Sequence, residues 1–133
     1  MKKNRMYDFS KFLMLAALII LMAGGYVINR KKLQLREAAN LPYYKIELSE
    51  IEDGIYRGKA ETSFLHLELE IKVENHQIKE INVLQNDGID GEKARPIIDQ
   101  MIAQNKIVVP AIKGAERGSL VYISCASTAL ARK

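Results

Sequence analysis

Leu65-His66-Leu67-Glu68-Leu69-Glu70-Ile71-Lys72-Val73-Glu74 alternates apolar and polar residues without a break. A period of two sends alternate side chains to opposite faces of an extended chain. The run therefore predicts a half-buried strand with one dry and one wet face. Asn75-His76 is a turn signal, and Ile78 to Leu84 follows as a second strand, with Ile81 and Val83 alternating with Glu80 and Asn82. Upstream, Glu52-Asp53-Gly54 marks a turn, and Ile55 to Thr62 reads as a further strand. Three such runs joined by short turns predict an antiparallel meander with one covered face.

Helices supply the cover. Ala94, Ile97, Ile98, Met101 and Ile102 follow the spacing of one apolar helix face. Pro96 is tolerated only near a helix start, which places that start at Glu92 to Arg95, and Asn105 closes the helix. Ile107-Val108-Val109 is a short β-like run. A last helix is predicted from about Ala115 to Ala131, with Tyr122, Ile123, Ala126, Ala129 and Leu130 on one side. The expected class is α+β: a small antiparallel sheet with two helices packed on it. One N-terminal transmembrane helix precedes it.

That first helix is read from Phe12 to Ile28, an apolar run bracketed by Lys11 and Arg30. Its 17 residues span roughly 25 Å at about 1.5 Å per residue, the short end for a bilayer core. Snorkelling of Lys11 and Arg30, with Tyr26 at the interface, extends its reach. The rival reading is a cleaved signal peptide, for which Ala23-Gly24-Gly25 offers small residues. The apolar run continues past those glycines, which favours the uncleaved anchor. The expected organisation is a basic flank over 1–11, an anchor over 12–28, a linker over 29–42 and a domain over 43–133. Within the linker, Arg30 to Ala39 can be helical and Asn40-Leu41-Pro42 stops it. Its basic cluster serves as a stop-transfer flank or rests on anionic headgroups. Four Lys/Arg precede the run and four follow it closely, so the positive-inside rule does not orient it.

Charge is unevenly distributed. Up to residue 40, eight Lys/Arg oppose only Asp8 and Glu37, a net of +6 within a chain of +4, which leaves −2 for the rest. The domain has no basic surplus to track a phosphate backbone, so nucleic-acid binding is not expected. Cys125 is the single cysteine, which excludes an intramolecular disulfide and Cys-rich metal sites. His66 and His76 belong to no ligand-spaced cluster, and Asp87-Gly88 and Asp90-Gly91 lack calcium-loop spacing. No nucleophile–base arrangement can be assembled from the sequence.

Val109-Pro110-Ala111-Ile112-Lys113-Gly114-Ala115-Glu116-Arg117-Gly118-Ser119 resembles the C-terminal signature of the FMN-binding domain family. That family includes flavin-carrying subunits of the sodium-pumping quinone oxidoreductase and Rnf-type complexes. Its signature runs Val-Asp-x-x-Ser-Gly-Ala-Thr-x-Ser-Ser, and its Thr carries FMN through a phosphoester. The opening Asp53-Gly54-Ile55-Tyr56-Arg57-Gly58 is similar to the family's Asp-Gly-x-Tyr-x-Gly. Leu69 to Leu84 resembles its hairpin, and Ala94 to Lys106 its helix and connector. The resemblance covers most of residues 47 to 133. It implies a membrane-anchored, extracytoplasmic electron-transfer flavoprotein serving a membrane redox complex or another electron carrier. The cofactor would do the chemistry.

Pro110 stands at the family's Asp, Lys113 at its first Ser and Glu116 at its flavin-bearing Thr. Glu116 has no hydroxyl, so a phosphoester at that position is excluded and any FMN is non-covalent. A helix start offers free N–H groups and a positive dipole end to phosphate. The candidate FMN-binding residues are Lys113, Gly114, Ala115, Glu116, Arg117, Gly118 and Ser119, with Tyr56 as a stacking ring. No metal site is expected. Each candidate has a structural alternative. Glu116 complements the helix dipole and would repel a phosphate. Lys113 and Arg117 either clamp a phosphate or pair with Glu116. Tyr56 either stacks on flavin or packs on the sheet. Ser124-Cys125-Ala126-Ser127 mimics the motif at the wrong spacing. The second function that remains open is a flavin-free relative acting as an anchored interaction or structural module. A tagged full-length chain is expected in the membrane fraction and resistant to alkaline extraction. A soluble secreted form beginning near Tyr26 is the result that removes the anchor.

Overall fold

A computed structural model describes residues 2–131 of the chain. The first helix, α1, runs Lys2–Ala39. Its apolar stretch is long enough to cross a membrane, and its large side chains, such as Phe12, Leu21 and Met22, are exposed along it. The Arg30 guanidinium lies over the Tyr26 ring, 5.9 Å from its centroid, as a cation–π contact beside the apolar run. The chain divides into two compact units, one over Met1–Leu33 and the other over Gln34–Lys133. The second unit carries the sheet and the remaining helices.

In that unit the meander is β1 (Gly54–Glu61), β2 (Leu65–Glu74) and β3 (Gln77–Gly88), antiparallel in the order β1-β2-β3. Leu65, Leu67, Leu69, Ile71 and Val73 of β2 are each at most 1% exposed. Their alternation follows the pleat, and burying each such side chain contributes about 1.5–3 kcal/mol. Asn75 and His76 both have positive φ, 51° and 61°, the requirement of a two-residue type I′ hairpin turn.

β3 is longer than the Ile78–Leu84 expected, because register shifts fall opposite Lys72/Val73 and Glu68/Leu69. Each shift inserts one extra residue, first Lys79 and then Leu84. They explain why the inward positions run Ile78, Ile81, Val83 and Asn86 instead of keeping strict alternation.

The helix expected from Glu92–Arg95 to Asn105 is two pieces, α2 (Gly91–Ala94) and α3 (Ile97–Gln104). Pro96 has no N–H to offer the Glu92 carbonyl, so the ladder drops to three-residue bonds. These are Arg95 N–H to Glu92 O and Asp99 N–H to Pro96 O. Asn105 ends α3 in the left-handed region (φ 51°), as its role as a stop requires. Its carboxamide accepts from Ile78 N–H and donates to His76 O, tying the helix end to the hairpin turn.

The last helix, α4 (Glu116–Ala131), departs most from expectation. It is buried around nearly its whole circumference and not along one side. Gly118, Tyr122, Cys125 and Ala129 form a stripe toward α2 and the sheet. On the opposite side, serine hydroxyls hold extended chain. Ser124 donates to Pro42 O, Ser127 accepts from Tyr44 N–H, and Ser119 accepts from Ile112 N–H. The segments around residues 41–48 and 107–112 thus form a strap over α4. Ile107 and Val109 are buried in it while Val108 is exposed. The β-like run therefore belongs to no sheet, since the three-stranded sheet is complete with β1, β2 and β3.

Gly58 sets how closely α4 approaches the sheet. A Cβ there would stand 2.5 Å from the Cys125 carbonyl oxygen and 2.7 Å from the Ala129 nitrogen. Both are backbone atoms of a packed helix and cannot turn aside. Gly58→Ala is expected to destabilise the fold by about 3 kcal/mol, read as a lower denaturant midpoint. Gly24→Ala, where nothing lies within 4 Å, is expected to leave that midpoint unchanged.

Candidate functional site at the start of the last helix

The loop that enters α4 is shaped by its own backbone. Gly114 has φ +87°, and Ala115 N–H closes a turn onto Ile112 O at 2.9 Å. Glu116 then opens the helix. Its Oε1 accepts the Gly114 N–H at 3.1 Å. Its own backbone N–H, then that of Gly114, with a smaller effect from Arg117, holds the carboxyl below the usual range. The anion at this helix start is therefore one of the protein's own carboxylates.

Arg117 turns away from Glu116. Its Nε donates to Asp90 Oδ2 at 3.0 Å, and Nη1 donates to Gln34 Oε1. The Arg117 and Asp90 side chains are 17% and 6% exposed, so this pair is largely withdrawn from water. Asp90 sits in the left-handed region ahead of α2 (φ 65°). Gly118 lies so close that an added Cβ would meet Asp90 O at 2.6 Å. Beside this cluster, Glu37 accepts from both the N–H and the hydroxyl of Ser63, and Ala38 is buried. Polar clamps thus join the segment from Gln34 to Ala38 to the domain.

The expected clamp of Lys113 and Arg117 is not assembled, and neither cation pairs with Glu116. Lys113 is exposed and makes no ion pair among the described residues. Ser119 is fully buried, donating to Ala115 O at 2.8 Å and accepting Ile112 N–H at 2.9 Å. Ala115 and Gly118 are buried. Tyr56 does not join these residues. It lies two positions from Gly58, which abuts Cys125 and Ala129, well along α4 from its start. Its hydroxyl donates to Glu52 O at 2.7 Å, and its ring is half-buried against the core. Three surface grooves of about 350 to 450 Å³ are lined by other parts of the domain.

A phosphate placed at the start of α4 would meet a carboxylate, one exposed lysine and an arginine already committed elsewhere. These residues do not fit the phosphate of FMN. The hydroxyls of Ser119, Ser124 and Ser127 are also engaged, since they hold the strap. Cys125 is buried and donates toward Gly58 O at 3.2 Å. Burial pushes its thiol up to about 12, so it stays protonated and unreactive at neutral pH. Tyr122, also pushed up to about 12 by burial, donates to Gly91 O and accepts from Asn86.

Asp90, Gln34 and Asn86 are the polar residues that sequence reasoning did not place. Only the Asp90-Gly91 turn pattern signalled one of them. No family model, curated protein or solved structure matches this chain.

Removing one partner of a withdrawn ion pair leaves the other charge uncompensated. Arg117→Met is expected to cost about 3 kcal/mol in chemical unfolding. The double change Arg117→Met with Asp90→Asn is expected to recover part of that loss.

Proposed function

We propose that this chain is a single-pass membrane protein whose extracytoplasmic domain is of the FMN-binding type but works without flavin, as an anchored interaction module. The observation that supports this most directly is the Glu116 carboxylate on the Gly114 N–H, 3.1 Å away. It occupies the helix-start position where the family holds phosphate. The Arg117–Asp90 pair supports the same reading, since the nearest candidate cation serves the fold. The exposed apolar stretch of α1 supports the anchor.

A second reading is an electron-transfer flavoprotein with non-covalent FMN beside Lys113. The one observation in its favour is that the Lys113 ammonium is exposed and makes no ion pair among the described residues.

The test is the full-length chain purified in mild detergent after co-expression with a flavin transferase. Its visible spectrum and intact mass are recorded before and after acid precipitation, with and without excess FMN. A colourless protein of unmodified mass is the expected result. A flavin spectrum lost on precipitation would establish the second reading. A surviving mass adduct would move the attachment to another hydroxyl and overturn both.

A further inference from the structure

β1 and β3 are the two edges of the sheet, and they differ in kind. β3 carries both extra residues, Lys79 and Leu84, and α3 packs along it. Bulges interrupt the flat template that another strand would need. β1 pairs with β2 in unbroken register from Gly54↔Val73 to Glu61↔His66. Its outer edge is regular for its full length.

The phase of the ladder shows what that edge presents. Thr62 N–H bonds Leu65 O across the β1–β2 turn at 2.9 Å. In an antiparallel pair, alternate residues direct both backbone groups to the same neighbour. Counting back from Thr62, residues Ala60, Gly58, Tyr56 and Gly54 face β2. Ile55, Arg57, Lys59 and Glu61 therefore direct N–H and C=O outward. Among the described residues, no hydrogen bond reaches these outward groups.

The same four residues point their side chains to the open face, where the edge is basic. Arg57 contacts Glu70 at 2.8 Å, and Lys59 lies 4.0 Å from Glu68. The carboxylates are 19% and 24% exposed, whereas the two cations keep 66% and 60%. Each cation has a carboxylate on its β2 side and none on its edge side. A second copy is a poor occupant. In antiparallel self-pairing the registers that use most of the strand set Arg57 or Lys59 against a cation of the other chain, and like charges directly opposite are destabilising.

We infer that the β1 edge receives an extended acidic segment of a partner protein as a fourth strand. Its two acidic side chains, spaced two residues apart, stand opposite Arg57 and Lys59. The residues between them are apolar and join the face that Tyr56, Gly58 and Ala60 share. Backbone bonds at Ile55, Arg57, Lys59 and Glu61 supply affinity, and the charge pairs supply selection. The edge lies apart from the start of α4, so a flavin-loaded domain would keep it. Failure of this inference and failure of the flavin-free reading are thus separately visible.

The experiment uses the full chain in nanodiscs with the probe Ser-Val-Glu-Val-Glu-Val-Ser fused after Lys133 through a Gly/Ser linker. Tethering raises the local probe concentration to about millimolar. Amide hydrogen exchange is read at Ile55, Arg57, Lys59 and Glu61. At least about tenfold slowing is expected with this probe and none with its Lys-for-Glu counterpart. Lys59→Pro removes one outward N–H at a position an edge strand tolerates, and should abolish the slowing. Arg57→Glu with Lys59→Glu should transfer it to the Lys probe, which keeps the test decisive if the proline variant does not fold. Unchanged exchange, or equal slowing by both probes, would overturn the inference. Slowing without any probe that grows with protein concentration would assign the edge to a second copy instead.

Discussion

The domain depends on one close approach, that of α4 to the backbone of β1 at Gly58. With no side chain at that position, the helix settles onto the sheet at backbone distance. Cys125 reaches the Gly58 carbonyl, and Ala129 fills the adjacent space. This depth has a consequence for the other side of the helix. A helix seated so far into a small domain would leave apolar residues such as Ile123 and Leu130 bare on its outer side. Ile123 and Leu130 are nevertheless buried, and the strap over 41–48 and 107–112 packs Leu41, Ile46, Leu48 and Ile112 against the core. The α4 serines satisfy strap backbone groups that would otherwise be buried without partners.

The same arrangement explains why the start of α4 reads so much like a ligand site and is built so differently. Small residues at Gly114, Ala115 and Gly118 suit close backbone approach by a phosphate. They suit equally well the close approach of the Asp90 turn and the tight loop from Ile112. Glu116 supplies the negative charge from within, and Arg117 is drawn to Asp90 and Gln34. The charges of Glu116 and Arg117 are thus met within the domain, while Lys113 stands in solvent without an ion pair among the described residues.

Much of the architecture was legible in advance because it follows from short-range periodicity. The β2 alternation, the Asn75-His76 turn and the stop at Asn105 each depend on a few neighbouring residues. The break at Pro96 was half legible: the proline marked a helix boundary, but not that a separate turn of helix would precede it. The bulges at Lys79 and Leu84 were invisible, since an inserted residue declares itself only against the register of the neighbouring strand. Of the residues grouped at the last helix, the helix start was legible and their partners were not. Asp90 and Gln34 are 27 and 83 residues from Arg117. Tyr56, grouped with the loop by resemblance, lies well along α4 from it.

The amino-acid sequence alone therefore determined the α+β class, the meander, the apolar N-terminal helix and the absence of a hydroxyl at position 116. Each is a property of local pattern or of composition. Only the tertiary structure decided that α4 is buried on both sides, that the serines are strap ligands and that Arg117 belongs to Asp90. It alone also showed that β1 is the regular, open edge. These depend on which distant segments meet, and that is set by the backbone distance Gly58 permits and by the demand that buried polar groups find partners.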